Sequence, residues 1–327
     1  MLRSARATLV GLTLLISAPV SAQMTPLTDV QRAIVDAIPD GTGGEVDRSY
    51  VVTNEWGHRV WFSHLEGRGG AYVGVGADQS YTLAAAAGSD MMFMVDYDPV
   101  IPLVHRMYSV LVPASATPAE LIARFEPAAE GENAALIAQT LGDAPDAASV
   151  TRLYRRFRHR LLRYLNNASR YAHGQTWLSH APWYAHVRAL FRAGRVVART
   201  GDLTAADSVH AIGDAIRELG MVVRVTYFSN AEQFFPNRPQ FIRNVHNLPT
   251  DERSIVLRTV HAPPLEAVPF GRWHYVVQPH ADMTARLDTG RYLYRSSIVD
   301  DLVRARRMRS REVEGLSVID ARIPMRE

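Results

Sequence analysis

Along the chain, the spacing of hydrophobic positions alternates between the two-residue period of a strand and the 3.6-residue period of a helix. This predicts strands that alternate with helices. The clearest case is residues 71–98, where an apolar run, a glycine-containing turn, an alanine-rich segment and a second apolar run follow one another. We expect a strand at 71–75, a helix at 78–87 and a strand at 91–95. Strands that alternate with helices form a mainly parallel sheet with helices on both faces.

The rest of the chain continues this pattern, with one long helical interruption. Residues 113–192 contain alanine-rich helical segments separated by Pro, Gly and Asp, which indicates a helical insertion. After it we expect a strand that begins at Val196 and ends in Gly201-Asp202. Further elements are predicted as helices at 100–112 and 208–219 and strands at 221–228, 254–260 and 273–278. The predicted fold class is therefore α/β, Rossmann-like and doubly wound.

The first 22 residues are typical of a signal peptide. Arg3 and Arg6 precede an apolar run at 7–16, and small residues at 20–22 form a cleavage site. The run is shorter than the ~20 residues that span a bilayer. We therefore expect an exported protein, periplasmic or secreted, with no transmembrane segment after cleavage. An N-terminal helix and loop at 23–45 then precede the α/β domain at 46–327.

The composition excludes several kinds of chemistry. There is no Cys, hence no disulfide, thiolate zinc site or cysteine nucleophile, and all 36 basic residues are Arg. Without Lys there is no Schiff base, which argues against pyridoxal phosphate, and no Walker P-loop. Loss of the signal peptide lowers the formal net charge from +3 to +1. We therefore expect no nucleic acid partner.

Acid and amide groups follow four of the predicted strands. They lie at 74–79, 96–98, 201–202 and 229–233. In a parallel sheet the carboxyl ends of the strands border the ligand crevice. Convergence of these groups is the strongest indication of a site in the sequence.

The turn after the first strand suits a nucleoside better than a pyrophosphate. Gly74 and Gly76 permit close backbone approach, and Asp96 lies about 20 residues on, where an acid accepts hydrogen bonds from ribose. A nicotinamide fingerprint requires glycine where Gln79 stands, and Asp78 at the helix start repels phosphate. We therefore expect no NAD; S-adenosylmethionine, which carries cationic groups, fits better. The alternative is that Asp78 only caps the helix and Asp96 is a solvated strand end.

At these residues the chain resembles a bacterial family of uncharacterised proteins whose fold is similar to S-adenosylmethionine-dependent methyltransferases and which includes an exported leptospiral protein. The resemblance covers about residues 50–260. Its blocks are 53–55, 74–81 (GVGADQSY), 93–97 (FMVDY), 200–203 (TGDL) and 227–233 (YFSNAEQ), followed by Asn244, 248–249 and 254–258.

The resemblance also implies roles for individual residues. Gly74, Gly76 and Gln79 would contact the cofactor, Asp96 its ribose and Asp202 its adenine. Asn54, Glu55, Asn230, Glu232 and Gln233 would line the reaction side, with Glu55 and Glu232 as candidate general bases. Departures from active methyltransferases are Tyr72, which replaces an acid, and 229–232, which replace an Asn-Pro-Pro-Tyr motif.

Other candidate sites are weaker. The histidine spacings fit no metal motif on one helix face, so we expect no metal, and no G-x-S-x-G motif is present. The basic run 152–163 could contact anionic lipid, polysaccharide or nucleic acid. We favour the simpler interpretation of an amphipathic helix with solvated arginines.

Three functions remain open. The first is a methyltransferase-like enzyme that uses the crevice, although S-adenosylmethionine is not expected outside the cytoplasm. The second, which we favour, is a ligand-binding or structural envelope protein that has lost methyl transfer. The third is different chemistry by Glu55 or Glu232 on an envelope-derived substrate. The sequence assigns neither the ligand, adenosine-type or envelope-derived, nor the oligomeric state.

Overall fold

A computed structural model describes residues 24–171, 175–263, 265–269, 271–307, 314–319, 323 and 325. The predicted signal peptide lies outside the described residues. Within them, no helix is both long and apolar enough to cross a membrane.

One seven-stranded sheet runs through the described part of the chain. Its strands are β1 (Ala71–Gly74), β2 (Met91–Asp96), β3 (Val196–Thr200), β4 (Val223–Ser229), β5 (Ile255–Val260), β6 (His274–Pro279) and β7 (Leu316–Val318). Their order across the sheet is β3-β2-β1-β4-β5-β6-β7. The first five strands are parallel, β6 runs antiparallel to β5, and β7 is parallel to β6.

Twelve α-helices lie within the described residues. They are α1 (Asp29–Asp36), α2 (Phe62–Leu65), α3 (Gln79–Ala87), α4 (Val100–Leu111), α5 (Pro118–Ala123), α6 (Glu130–Leu141), α7 (Ala147–Ser169), α8 (Ala181–Arg192), α9 (Ser208–Glu218), α10 (Pro239–Asn247), α11 (His280–Asp288) and α12 (Arg295–Arg307). The core on one face of the sheet includes side chains of α3, α4, α7 and α8. The core on the other face includes α1, α9, α10, α11 and α12. The doubly wound, Rossmann-like α/β fold is thereby confirmed.

The strand sequences explain why both faces are covered. Along β2, Met92 and Met94 join one core while Phe93 and Val95 join the other, and all four are buried. Strands that bury both faces read as continuous apolar runs because helices cover each side of the sheet. The strand predicted at 91–95 is therefore confirmed as β2.

The connections place a crevice at the centre of the sheet. The chain passes from β1 through α3 to β2 on one side, and from β3 through α9 to β4 on the other side of β1. Ligands of open α/β sheets bind where the strand order reverses in this way, outside the carboxyl ends. Here that point lies between β1 and β4.

Two regions differ from the expectations. Residues 50–65 are rich in aromatic residues, a pattern that predicts a helix or a strand pair, but they contain a 3₁₀ helix at His58–Trp61 followed by the single turn of α2. The segments α10, α11, α12 and β7 were not predicted, because α10, α11 and β7 are short and α12 carries many charges within its apolar pattern. The insertion between α4 and β3 is helical as predicted and contains α5, α6, α7 and α8.

Candidate functional site

The 74–76 turn is tied directly to the acid at the end of β2. Gly76 has φ +81°, and its N–H donates to Oδ2 of Asp96 at 2.9 Å. The other carboxylate oxygen of Asp96 accepts from the N–H of Asp98 at 3.0 Å. Burial raises the pKa of Asp96 to about 6, against the effect of these two hydrogen bonds. Both oxygens that would bind a ribose therefore already accept backbone hydrogens.

Side chains of this chain fill the space beside the two glycines. A Cβ on Gly76 would lie 2.6 Å from Nε2 of Gln79, and a Cβ on Gly74 would lie 2.5 Å from Cε1 of Tyr72. The Tyr72 ring is fully buried, and burial raises its pKa well above the ordinary value. Gly74 therefore makes room for the buried Tyr72 ring.

Asp78 points away from the crevice into the helical insertion. It holds the N-cap position of α3 but makes no capping hydrogen bond, so the expected cap is wrong. Its Oδ2 accepts from Nε1 of Trp177 at 3.0 Å, and the residue is 1% exposed. Burial raises the pKa of Asp78 to about 6. A negative charge on Asp78 would therefore repel a bound anion from inside the protein, without touching it.

Glu55 lies beneath the carboxyl ends of β4 and β5. It is 2% exposed, and its carboxylate accepts from the hydroxyls of Tyr227 at 2.5 Å, of Thr259 at 2.7 Å and of Ser229. Burial raises the pKa of Glu55, although the three hydroxyl donors act in the opposite direction. Within the described part of the chain, the polar partners of this carboxylate are hydroxyl groups, and no cation pairs with it.

Ser229 holds a strained position beside this carboxylate. Its φ is +51°, and it is the single non-glycine residue with positive φ in the described chain. The pairing of β4 with β5 is irregular between Tyr227 and Ser229, which re-aims the end of the strand. Strained residues of this kind cluster at ligand sites, and they persist only where the surrounding contacts hold them in place. Ser229 and Asn230 are partly exposed, so the strained residue borders the crevice.

Glu232 lies on the opposite face of the sheet from Glu55. Its Oε2 lies 2.7 Å from Nε of Arg258, and both side chains are almost fully buried. Arg258 belongs to the face of Val256 and Val260, whereas its neighbour Thr259 contacts Glu55. The structure therefore does not bring Glu55 and Glu232 together, and an arginine already neutralises Glu232.

The remaining predicted residues lie at the expected strand ends. Asp202 follows β3, and its Oδ1 accepts from the N–H and the hydroxyl of Thr204 at 2.7 and 2.8 Å. Asn230 follows β4, and its Oδ1 accepts from the Ser229 hydroxyl at 3.4 Å. We define the Glu55 cluster as Glu55, Tyr227, Ser229 and Thr259. Asp202 makes no hydrogen bond to this cluster, whereas Asn230 contacts it through Ser229.

A glycine loop at residues 40–44 lies against the carboxyl ends of β2 and β3. The N–H of Gly41 donates to Thr200 O at 2.8 Å, and the N–H of Gly44 donates to Tyr97 O at 3.0 Å. A Cβ on Gly43 would lie 2.4 Å from Cγ2 of Thr200 and 2.8 Å from Tyr97 O. The loop therefore packs its backbone directly on the strand ends next to Asp96. In methyltransferase-like folds that region is where we expected the ribose and adenine.

Sequence reasoning missed the hydroxyl groups of the cluster and the position of the loop. Tyr227 and Thr259 lie inside strands, where their side chains read as ordinary strand formers. The three glycines at 41, 43 and 44 were the available signal, because such a run permits close backbone approach. Among the described residues, no group of three or more His, Asp or Glu side chains could hold a metal ion.

Comparison with known proteins identifies a family but no activity. Residues 50–320 match the model of a family described as "Domain of unknown function (DUF7790)". No curated protein matches the chain.

Proposed function

Because the chain belongs to this family of unknown function, we infer its activity from the site itself. We propose that it is an exported ligand-binding protein of the cell envelope that no longer transfers methyl groups. Its ligand binds at the Glu55 cluster, beneath the carboxyl ends of β4 and β5 and next to the crevice between β1 and β4. The observation that carries this proposal is the strained Ser229, whose hydroxyl donates to the buried Glu55.

The chemistry of the cluster indicates the kind of ligand. A buried carboxylate without a cationic partner is costly, so natural proteins pair such groups with a cation or with hydrogen-bond donors. In this cluster hydroxyl groups fill that role. A ligand that carries an ammonium group or several hydroxyls can replace the Ser229 hydroxyl at Glu55 and relax the strand end.

The glycine loop supports the loss of methyl transfer. Methyl transfer from S-adenosylmethionine needs the adenosine to lie along the ends of β2 and β3. Those ends are bound by Gly41 and Gly44 at 2.8 and 3.0 Å. Each oxygen of the Asp96 carboxylate also accepts one backbone N–H, which leaves fewer lone pairs free for ribose hydroxyls.

The test is a thermal-shift titration with ethanolamine, choline and myo-inositol, which probe ammonium and polyol groups. The variant is Glu55→Gln, and the matched control is Asp202→Asn, whose carboxylate bonds within its own loop. We expect at least one probe to raise the Tm of the wild type and of Asp202→Asn, but not of Glu55→Gln. Equal shifts in Glu55→Gln and the control would overturn the proposal, as would a wild type that no probe shifts.

The alternative is a methyltransferase-like enzyme, and one observation favours it. The 2.9 Å hydrogen bond from Gly76 to Asp96 holds the acid of the second strand beside the glycine turn, which is where nucleoside-binding folds keep the acid that binds ribose. Calorimetric titration with S-adenosylmethionine and S-adenosylhomocysteine decides between the two. Micromolar binding that Asp96→Ala removes would establish the alternative, whereas no binding at millimolar ligand supports our proposal.

A further inference from the structure

Helix α7 presents one long face of arginines to the solvent. Its exposed basic side chains are Arg152, Arg155, Arg156, His159 and Arg163, and Arg170 follows at the helix end. These positions fall within about 100° of one another at 100° per residue, so they form one stripe. From Arg152 to Arg170 the stripe is ~27 Å long, at 1.5 Å per residue. The opposite side of α7 packs in the core through Leu153, Tyr154, Leu161 and Leu165.

The charge around this stripe is unusually one-sided. Residues 147–200 contain eleven arginines and no aspartate or glutamate, in a chain whose formal net charge is only +3. The rest of the chain therefore carries an excess of acid. The protein as a whole is nearly neutral, but residues 147–200 are strongly positive.

Few neighbouring groups neutralise the stripe. Arg158, on its flank, pairs with Glu130 at 3.1 Å, and Arg160 donates to Ser49 O at 3.4 Å. Within the described part of the chain, Arg152, Arg155, Arg156 and Arg163 take part in no ion pair. The pKa of Arg160 is lowered, chiefly by burial and further by nearby Arg48 and Arg163. The stripe therefore carries several positive charges that no carboxylate in the described part of the chain neutralises.

We propose that this face of α7 docks on the surface of a bilayer that contains anionic phospholipids. Guanidinium groups bind phosphate through paired N–H donors, and lipid headgroups can move in the plane to match fixed arginines. Basic residues close to an anionic leaflet are attracted to it, and this attraction falls off within a Debye length. A bilayer surface can contact the whole stripe at once, because its members lie along one face of a single helix.

The geometry disfavours nucleic acid as the partner. The major groove of DNA is about 12 Å wide, and helices that enter it read bases with their N-terminal residues. The N-terminal end of α7, in contrast, lies beside Asp143 and Asp146. Entry of that end into a groove would bring acids, rather than arginines, to the phosphates.

The test is sedimentation of the full chain with vesicles of phosphatidylcholine alone and of phosphatidylcholine with phosphatidylglycerol. The variant is R152Q/R155Q/R156Q/R163Q, and the matched control is R238Q/R243Q/R253Q/R272Q, which removes four exposed arginines outside residues 147–200. All three proteins carry the same N terminus, so its contribution cancels. A fluorescent DNA duplex is titrated in the same buffers, and thermal unfolding shows that each variant is folded.

We expect the wild type and the control to bind only the anionic vesicles, and added salt to weaken this binding. Each arginine near the surface accounts for about a fivefold change in partitioning, so loss of four should reduce it by at least about 100-fold. A second variant, R152K/R155K/R156K/R163K, keeps the charge and should retain most of the binding. Equal loss in the variant and the control, or binding to DNA but not to vesicles, would overturn the proposal.

Discussion

The hydroxyl of Ser229 donates to the carboxylate of Glu55, although the two residues lie 174 positions apart in the chain. The bond joins the strained end of β4 to the segment that precedes β1. Ser229 has φ +51°, a conformation that an L-residue other than glycine adopts at a cost of roughly 1–2 kcal/mol. The hydrogen bond to Glu55 offsets part of that cost, so stability and the proposed ligand binding depend on the same contact.

Replacing Ser229 separates the strain from the hydrogen bond. Ser229→Ala keeps the Cβ and loses the hydroxyl, so we expect a loss of about 1–3 kcal/mol in the free energy of unfolding. Ser229→Gly loses the same hydroxyl but relieves the positive φ, so it should be about 1 kcal/mol more stable than Ser229→Ala. Urea denaturation of both variants measures the difference. If the alanine variant were the more stable one, the strained conformation would be refuted.

The buried Asp78 makes stability depend on pH. Burial raises its pKa from 3.8 to about 6, so the folded state binds the proton more tightly than the unfolded state. This contribution is complete below pH 4 and is lost as the pH rises through 6, by at most about 3 kcal/mol. Asp96, with a pKa of about 6, acts in the same direction.

The measurement is urea unfolding of the wild type and Asp78→Asn between pH 4.5 and 7.5. Asparagine still accepts from Trp177 but carries no charge, so the variant should lose less stability over this range. Exposed Asp143→Asn is the matched control and should follow the wild type. Parallel curves for the wild type and Asp78→Asn would contradict a titrating Asp78.

The sequence predicted the sheet well because its central strands are buried on both faces. The run 91–95 admits few other structures, and the acid that follows it was placed at the crevice by topology alone. The Glu55 cluster could not be found in this way, because Tyr227 and Thr259 converge on Glu55 only through the pairing of β4 with β5. Asp78 shows the same limit, since its partner Trp177 comes from a helical insertion 99 residues later.

The glycine loop should be sensitive to the smallest added side chain. A Cβ on Gly43 meets Thr200 Cγ2 at 2.4 Å and the backbone Tyr97 O at 2.8 Å, so Gly43→Ala must displace the loop. We expect a loss of about 1–3 kcal/mol and faster amide exchange at Gly41 and Gly44. Hydrogen exchange followed by mass spectrometry measures both the loop and the rest of the chain.

A matched substitution controls for the change in backbone entropy. A Cβ on Gly131, in the first turn of α6, meets nothing within 4 Å. Gly131→Ala should therefore leave stability unchanged or raise it by up to ~1 kcal/mol. Equal stability of the two alanine variants would show that the loop does not pack on the strand ends.

The ion pair between Glu232 and Arg258 should behave as a structural pair rather than as a catalytic one. Removing one partner leaves the other charge buried, so Glu232→Gln and Arg258→Met should each lose about 3–5 kcal/mol. The double variant has no unpaired buried charge, and we expect it to lose clearly less than the sum of the two. A double-mutant cycle from urea denaturation measures this coupling. Additive losses would show that the two side chains do not interact, and Glu232 would again be a candidate for a free base in the crevice.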